Sequence, residues 1–104
     1  MIYAIDFDGT LCEDKYPEIG KPFLKRIDKL KKFKERGDRL ILWTCRQGKQ
    51  LEEAVNWCKN YGLQFDAINQ NIPEIQKEWR GDTRKIYCDF YIDDKNYSPS
   101  RLDV

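Results

Sequence analysis

Two uninterrupted hydrophobic runs, Met1 to Ile5 and Leu40 to Trp43, each break off abruptly in polar residues, and between them the apolar residues change to helical spacing. A short run without polar alternation suits a strand buried on both faces, and such strands belong to parallel sheets covered by helices. Phe23, Ile27, Leu30 and Phe33 recur at helical spacing ahead of Gly37, which predicts a helix from about Pro22 to Arg36. Leu51, Ala54, Val55, Cys58 and Tyr61 form a second stripe, closed by Gly62. A short strand is expected around Phe65 to Ile68, a brief helix over Pro73 to Trp79, a turn at Gly81-Asp82, and extended chain from Lys85 to Ile92. Leu11 to Lys21, interrupted by Pro17 and Gly20, reads as irregular. Strand alternating with helix predicts an α/β fold, a Rossmann-like three-layer α/β/α sandwich with a mostly parallel sheet. At 104 residues this is one domain, 1–104, with a single core.

In such sheets ligands collect at the carboxyl ends of the strands, near the point where strand order reverses. Three polar exits, Asp6-Phe7-Asp8, Thr44-Cys45-Arg46 and Asp93-Asp94, are therefore expected to converge at one edge. Desolvation and mutual repulsion disfavour charged carboxylates at the end of a buried strand, so a cation is expected to compensate them.

Composition narrows the chemistry. The chain has no histidine, which excludes histidine-ligated zinc, Ser-His and Cys-His dyads, and a histidine general base. Lys plus Arg (19) nearly balances Asp plus Glu (18), so nothing in the totals indicates a nucleic-acid coat. The basic side of the first helix (Lys25, Arg26, Lys29, Lys32, Arg36) reads as a solvated face. Cys12, Cys45, Cys58 and Cys88 form no Cys-x-x-Cys pair and no secretory signal precedes the first strand, so free thiols and a cytoplasmic location are expected. No apolar stretch approaches the length of a membrane span, which predicts a soluble protein without a membrane partner.

What remains is carboxylate chemistry. An aspartate such as Asp6 can attack phosphorus to form an aspartyl phosphate, provided a cation offsets repulsion from the phosphate. Magnesium is the natural cation, because it takes oxygen ligands and usually one or two carboxylates. Asp6 and Asp93 supply carboxylates, and Asp8 supplies its backbone carbonyl. The Asp8 side chain can reach the same site to protonate a leaving alkoxide and then take a proton from water. Thr44 offers a hydroxyl and a backbone N–H to a phosphoryl oxygen, and Lys85, chosen over Lys95, offers a positive charge.

Asp6-Phe7-Asp8-Gly9-Thr10-Leu11 resembles motif I of the haloacid dehalogenase (HAD) superfamily, dominated by magnesium-dependent phosphohydrolases. Leu42-Trp43-Thr44 resembles its second motif, Lys85 fits the third, and Tyr91-Ile92-Asp93-Asp94 resembles the acidic fourth, in the right order over nearly the whole chain. The resemblance implies a phosphomonoester hydrolase with Asp6 as nucleophile, Asp8 as acid and base, and Thr44 and Lys85 on the phosphate. It further implies magnesium held through Asp6, Asp8, Asp93 and Asp94, and a substrate position lined by Gly9, Thr10, Thr44, Cys45, Arg46 and Lys85. Arg46 either holds a substrate anion there or joins a surface ion pair, and Cys45 is expected to be a buried or inert thiol. Aspartate at position 8 favours phosphatase over dehalogenase or phosphonatase chemistry.

Two departures from the family pattern shape the expected substrate. The gaps between motifs leave no room for a cap domain, which implies a minimal, capless member with an exposed site open to large phosphorylated molecules. Sugar phosphates, nucleotides and nucleic-acid 3′-phosphate ends all fall within that range. Few residues follow Asp94, so a fifth strand is expected to be short or missing. Two other functions share these residues: a receiver-like phosphoacceptor switch, for which Asp66 near the third strand is the candidate acceptor, and a non-catalytic HAD-fold subunit used for binding or assembly.

Overall fold

The computed structural model describes residues 1–81, 85–96 and 98–103. Of the expected turn at Gly81-Asp82, Asp82 lies outside the described residues. The elements in chain order are β1 (Ile2–Ile5), β2 (Cys12–Lys15), β3 (Glu18–Pro22), α1 (Leu24–Glu35), β4 (Arg39–Leu42), α2 (Gly48–Asn60), β5 (Ala67–Ile68), α3 (Pro73–Glu78) and β6 (Phe90–Ile92), followed by a 3₁₀ helix over Pro99–Asp103. Four strands form a parallel sheet in the order β5-β4-β1-β6. The fold is the expected Rossmann-like α/β sandwich.

Because side chains alternate along a strand, each central strand feeds two cores. Tyr3 and Ile5 of β1 and Leu40 and Leu42 of β4 face Ile27 and Leu30 of α1 and Ala54 and Cys58 of α2. Ala4 and Ile41 face the other way, against Ala67, Ile72 and Ile86, with Ile75 of α3 packed alongside. Both faces are covered, as the hydrophobic runs require. The two long helices share one face, and the second is closed by short α3 and the stretch around Ile86.

Chain order decides where the site lies. From β1 the chain moves outward through β4 to β5, then returns to the other side of β1 as β6. Strand order therefore reverses between β1 and β6, and the two acidic exits leave the sheet at that crevice.

Three expectations are corrected. The stretch expected to be irregular, Leu11 to Lys21, contains an antiparallel hairpin, β2 paired with β3. At Gly20 a Cβ would run into the Glu13 backbone across the hairpin, so glycine permits the pairing. The strand expected over Phe65 to Ile68 is confined to Ala67–Ile68, because the Asp66 carboxylate is drawn to Lys34, Arg39 and the Leu40 N–H at the near end of the sheet. The extended chain expected over Lys85 to Ile92 pairs only from Phe90, where it meets Tyr3 of β1. Its earlier part serves the second core through Ile86.

Candidate active site

The opening strand delivers Asp6 to the crevice. Its N–H donates to the Ile92 carbonyl (2.9 Å), which extends the β1–β6 ladder by one residue and sets Asp6 beside Asp93. Carboxylate oxygens of Asp6, Asp93 and Asp94 lie within 4.8 Å of one another. Among the described residues no ion pair neutralises any of the three. Burial pushes the Asp6 carboxyl up, the Thr10 hydroxyl partly opposes this, and the neighbouring Asp93 and Asp94 add to the rise, which takes it from 3.8 to about 6. Three hard oxygen donors facing one another in this way fit a divalent cation.

Two residues expected to touch substrate instead build this acidic cluster. The Thr10 hydroxyl donates to Asp6 Oδ2 (3.0 Å) from a buried position. Gly9 holds φ +84°, and a Cβ there would overlap Asp94 Oδ2. Its N–H is engaged by the Cys12 carbonyl at 2.9 Å. Gly9 thus makes room for Asp94, and Thr10 orients Asp6.

The exit of β4 lies opposite. Asp6, Trp43, Thr44, Cys45, Asn69 and Asp93 line a depression of about 300 Å³. The Thr44 N–H, expected to serve a phosphoryl oxygen, already donates to Asn69 Oδ1 (2.8 Å), and Thr44 Oγ1 accepts from the Arg46 N–H (3.1 Å). The Thr44 hydroxyl hydrogen is the donor left for a ligand. Asn69 is a site residue that sequence reasoning missed. Its φ of 53°, in the left-handed region that asparagine tolerates, follows directly on β5 and turns the side chain to brace Thr44. An asparagine ending a short strand in an α/β pattern was the available signal.

Asp8 points elsewhere. Arg46 Nε donates to Asp8 Oδ2 and Nη2 to Asp8 Oδ1, both at 2.8 Å. Arg46 also reaches the carbonyls of Pro17 (3.1 Å), Glu18 (2.9 Å) and Gln50 (3.5 Å), so all five of its N–H groups are committed within the protein. Its side chain is only 1% exposed, against 18% for Asp8. Of the two roles open to Arg46, the structure shows the ion pair, buried rather than at the surface, and no donor remains for a substrate anion. The Asp8 carboxylate is also outside the acidic trio, so its expected place among the metal ligands rests on the backbone carbonyl.

Asp8, Asp14, Tyr16, Cys45 and Arg46 line a second depression of about 370 Å³, which meets the first at Cys45. Cys45 is exposed, whereas burial pushes Cys12 to about 11 and Cys58 to about 12. All four cysteines are free thiols.

The lysines are less central than expected. Lys85 is exposed and does not line the Asp6 depression. The chain beside it is tied to the carboxyl-end loops through the Tyr87 N–H, which donates to Asn71 Oδ1 (2.6 Å). Lys95 contributes its backbone N–H to Asp93 Oδ1 (2.8 Å). Asp66 is remote from the cluster. Burial favours its neutral form, but hydrogen bonds from Lys34, the Leu40 N–H and Arg39 outweigh this and hold it below the usual carboxylate range.

No helix among the described residues is long and apolar enough to cross a membrane. No family model and no curated protein matches the chain. A solved structure of a conserved protein from Bacteroides thetaiotaomicron is similar, with a TM-score of 0.83 and 44% identity over 92% of this chain and 77% of that one. At that identity over that span, the chain belongs to the same family as the conserved Bacteroides thetaiotaomicron protein.

Proposed function

We propose that this protein is a capless branch of the HAD superfamily and hydrolyses phosphomonoesters with magnesium. The observation that carries the reading is the trio of Asp6, Asp93 and Asp94, which no ion pair among the described residues compensates, at the crevice where strand order reverses. These three residues are the ones to hold magnesium, which when bound offsets the charge of the phosphate and of Asp6.

The rest is done by the chain. As a carboxylate oriented by Thr10, Asp6 attacks phosphorus to form an aspartyl phosphate while the ester P–O bond breaks. The Thr44 hydroxyl donates to a phosphoryl oxygen. Asp8 gives a proton to the leaving alkoxide, then takes one from the water that attacks the aspartyl phosphate, releasing inorganic phosphate and restoring Asp6. Both Asp8 oxygens are engaged by Arg46, so proton transfer calls for one of those bonds to open.

Asp66, engaged by Lys34 and Arg39 away from the trio, gives no support to a receiver-like switch. Release of inorganic phosphate from a panel of esters of graded size, with magnesium, tests the hydrolase. Turnover is expected to vanish in Asp6→Asn with the fold retained and to require magnesium. Full activity in that variant or in excess EDTA would sink the mechanism.

A further inference from the structure

The second depression is formed where the β2–β3 hairpin leans over the exit of β1. Arg46 fixes this arrangement by joining Asp8 to the Pro17 and Glu18 carbonyls, with its guanidinium 5.1 Å from the centre of the Tyr16 ring. Tyr16 is nevertheless 60% exposed, so it presents aromatic surface to the cavity. The depression meets the Asp6 depression at Cys45, and Asp8, two residues from Asp6, is part of its wall. A group bonded to a phosphate at Asp6 has this space beside it.

Charge decides what the space accepts. Among the described residues Arg46 is the sole cation in the lining; its charge is matched by Asp8 and its donors are fully committed. Asp14 remains, exposed and in no ion pair among the described residues, with one carboxylate oxygen accepting the Tyr16 N–H at 3.3 Å. The lining therefore carries a net negative charge, an aromatic ring and free carboxylate lone pairs. Hydroxyl groups can donate to those lone pairs, and the apolar C–H face of a ring or chain can lie on Tyr16. A carboxylate or second phosphate in the same place would face the charge of Asp14, which the neutral Tyr16 hydroxyl does not offset.

Resting on the phosphatase reading, we propose that this depression seats the part of the ester beyond phosphorus and selects an uncharged polyhydroxyl group, a sugar or sugar alcohol, over one bearing a second anion. Two matched comparisons test it with magnesium present: a hexose monophosphate against the hexose bisphosphate, and glycerol phosphate against phosphoglycerate. In each pair kcat/KM is expected to favour the uncharged leaving group by about ten-fold, the order of one uncompensated charge near a protein surface. Asp14→Lys is expected to erase or reverse that ratio in both pairs. Equal or better turnover of the anionic esters, or a ratio unmoved by Asp14→Lys, overturns the proposal.

A second measurement is independent of turnover. In Asp6→Asn, free hexose is expected to shift the NMR resonances of Tyr16 and Asp14, and the corresponding hexonate to leave them in place. Shifts confined to the hexose support the pocket even where no ester is hydrolysed, a result that sinks the phosphatase reading alone. No shift with hexose, or an equal shift with hexonate, overturns the pocket.

Discussion

Gly9 shows how much one backbone position decides. Its φ of +84° is strained for a residue with a side chain, and the space a Cβ would fill is taken by the Asp94 carboxylate. Gly9→Ala is expected to destabilise the fold by about 1–3 kcal/mol through backbone strain and displacement of Asp94. The more specific effect is on the cluster: the rise in melting temperature that magnesium gives the wild type should shrink in the variant. Thermal melts with and without magnesium separate the two effects, and an undiminished magnesium response would show that Asp94 does not depend on this glycine. The aspartates themselves could be found in the sequence because carboxylates ending a hydrophobic run are anomalous there. The supporting parts of Gly9 and Thr10 could not, since both depend on which side-chain atoms approach them in space.

At the scale of elements, the strands and long helices follow from apolar periodicity, whereas the hairpin does not. Cys12 to Pro22 holds Pro17, Gly20 and several charges, a composition that reads as loop, and its placement against the β1 exit is fixed by partners far along the chain. Arg46 is the chief of these. It lies 38 residues from Asp8 and 28 from Glu18, so no local pattern announces that one side chain connects the β1 exit, the hairpin tip and the start of α2. Arg46→Met is expected to cost about 3–5 kcal/mol, because it leaves the partly buried Asp8 carboxylate without its counter-charge and removes the donor from three carbonyls, those of Pro17, Glu18 and Gln50. Urea unfolding measures the loss, and amide exchange is expected to show it concentrated in the hairpin. Arg46→Lys should fall between the two, since an ammonium restores charge but not the planar fork. A change within the range of an ordinary surface substitution would mean that the hairpin is held by its own strands.

For the whole molecule, the acidic crevice links stability to pH and to metal. Asp6 is raised from 3.8 to about 6 on folding, so between these values the native state binds more protons than the unfolded one. The contribution of this group to stability is therefore fully present below about pH 4, falls as pH rises through the window, and levels off above about 6. Asp66 and Asp38, held below the usual range, act in the opposite sense by losing stabilisation as pH falls, so the comparison of wild type with Asp6→Asn isolates the Asp6 effect. In metal-free protein, Asp6→Asn should gain in relative stability as pH rises from about 4 to about 6 and hold that gain at pH 7. Magnesium should stabilise the wild type above about pH 6, and the variant much less. Thermal melts across this range check both statements; parallel profiles for the two proteins would remove Asp6 from the acidic cluster.

By itself the sequence determined the α/β layering, the order of strand exits and the edge at which Asp6, Thr44 and Asp93 meet, because buried runs, helical stripes and strand handedness are local or topological properties. Only the tertiary structure decided that the Asp8 carboxylate stands outside the trio of Asp6, Asp93 and Asp94, that Thr10, Gly9 and Asn69 support the site, and that Arg46 is committed to Asp8 and the hairpin. Those assignments depend on side-chain direction and on competition among hydrogen-bond partners, and such partners are chosen in three dimensions after the backbone has brought distant residues together.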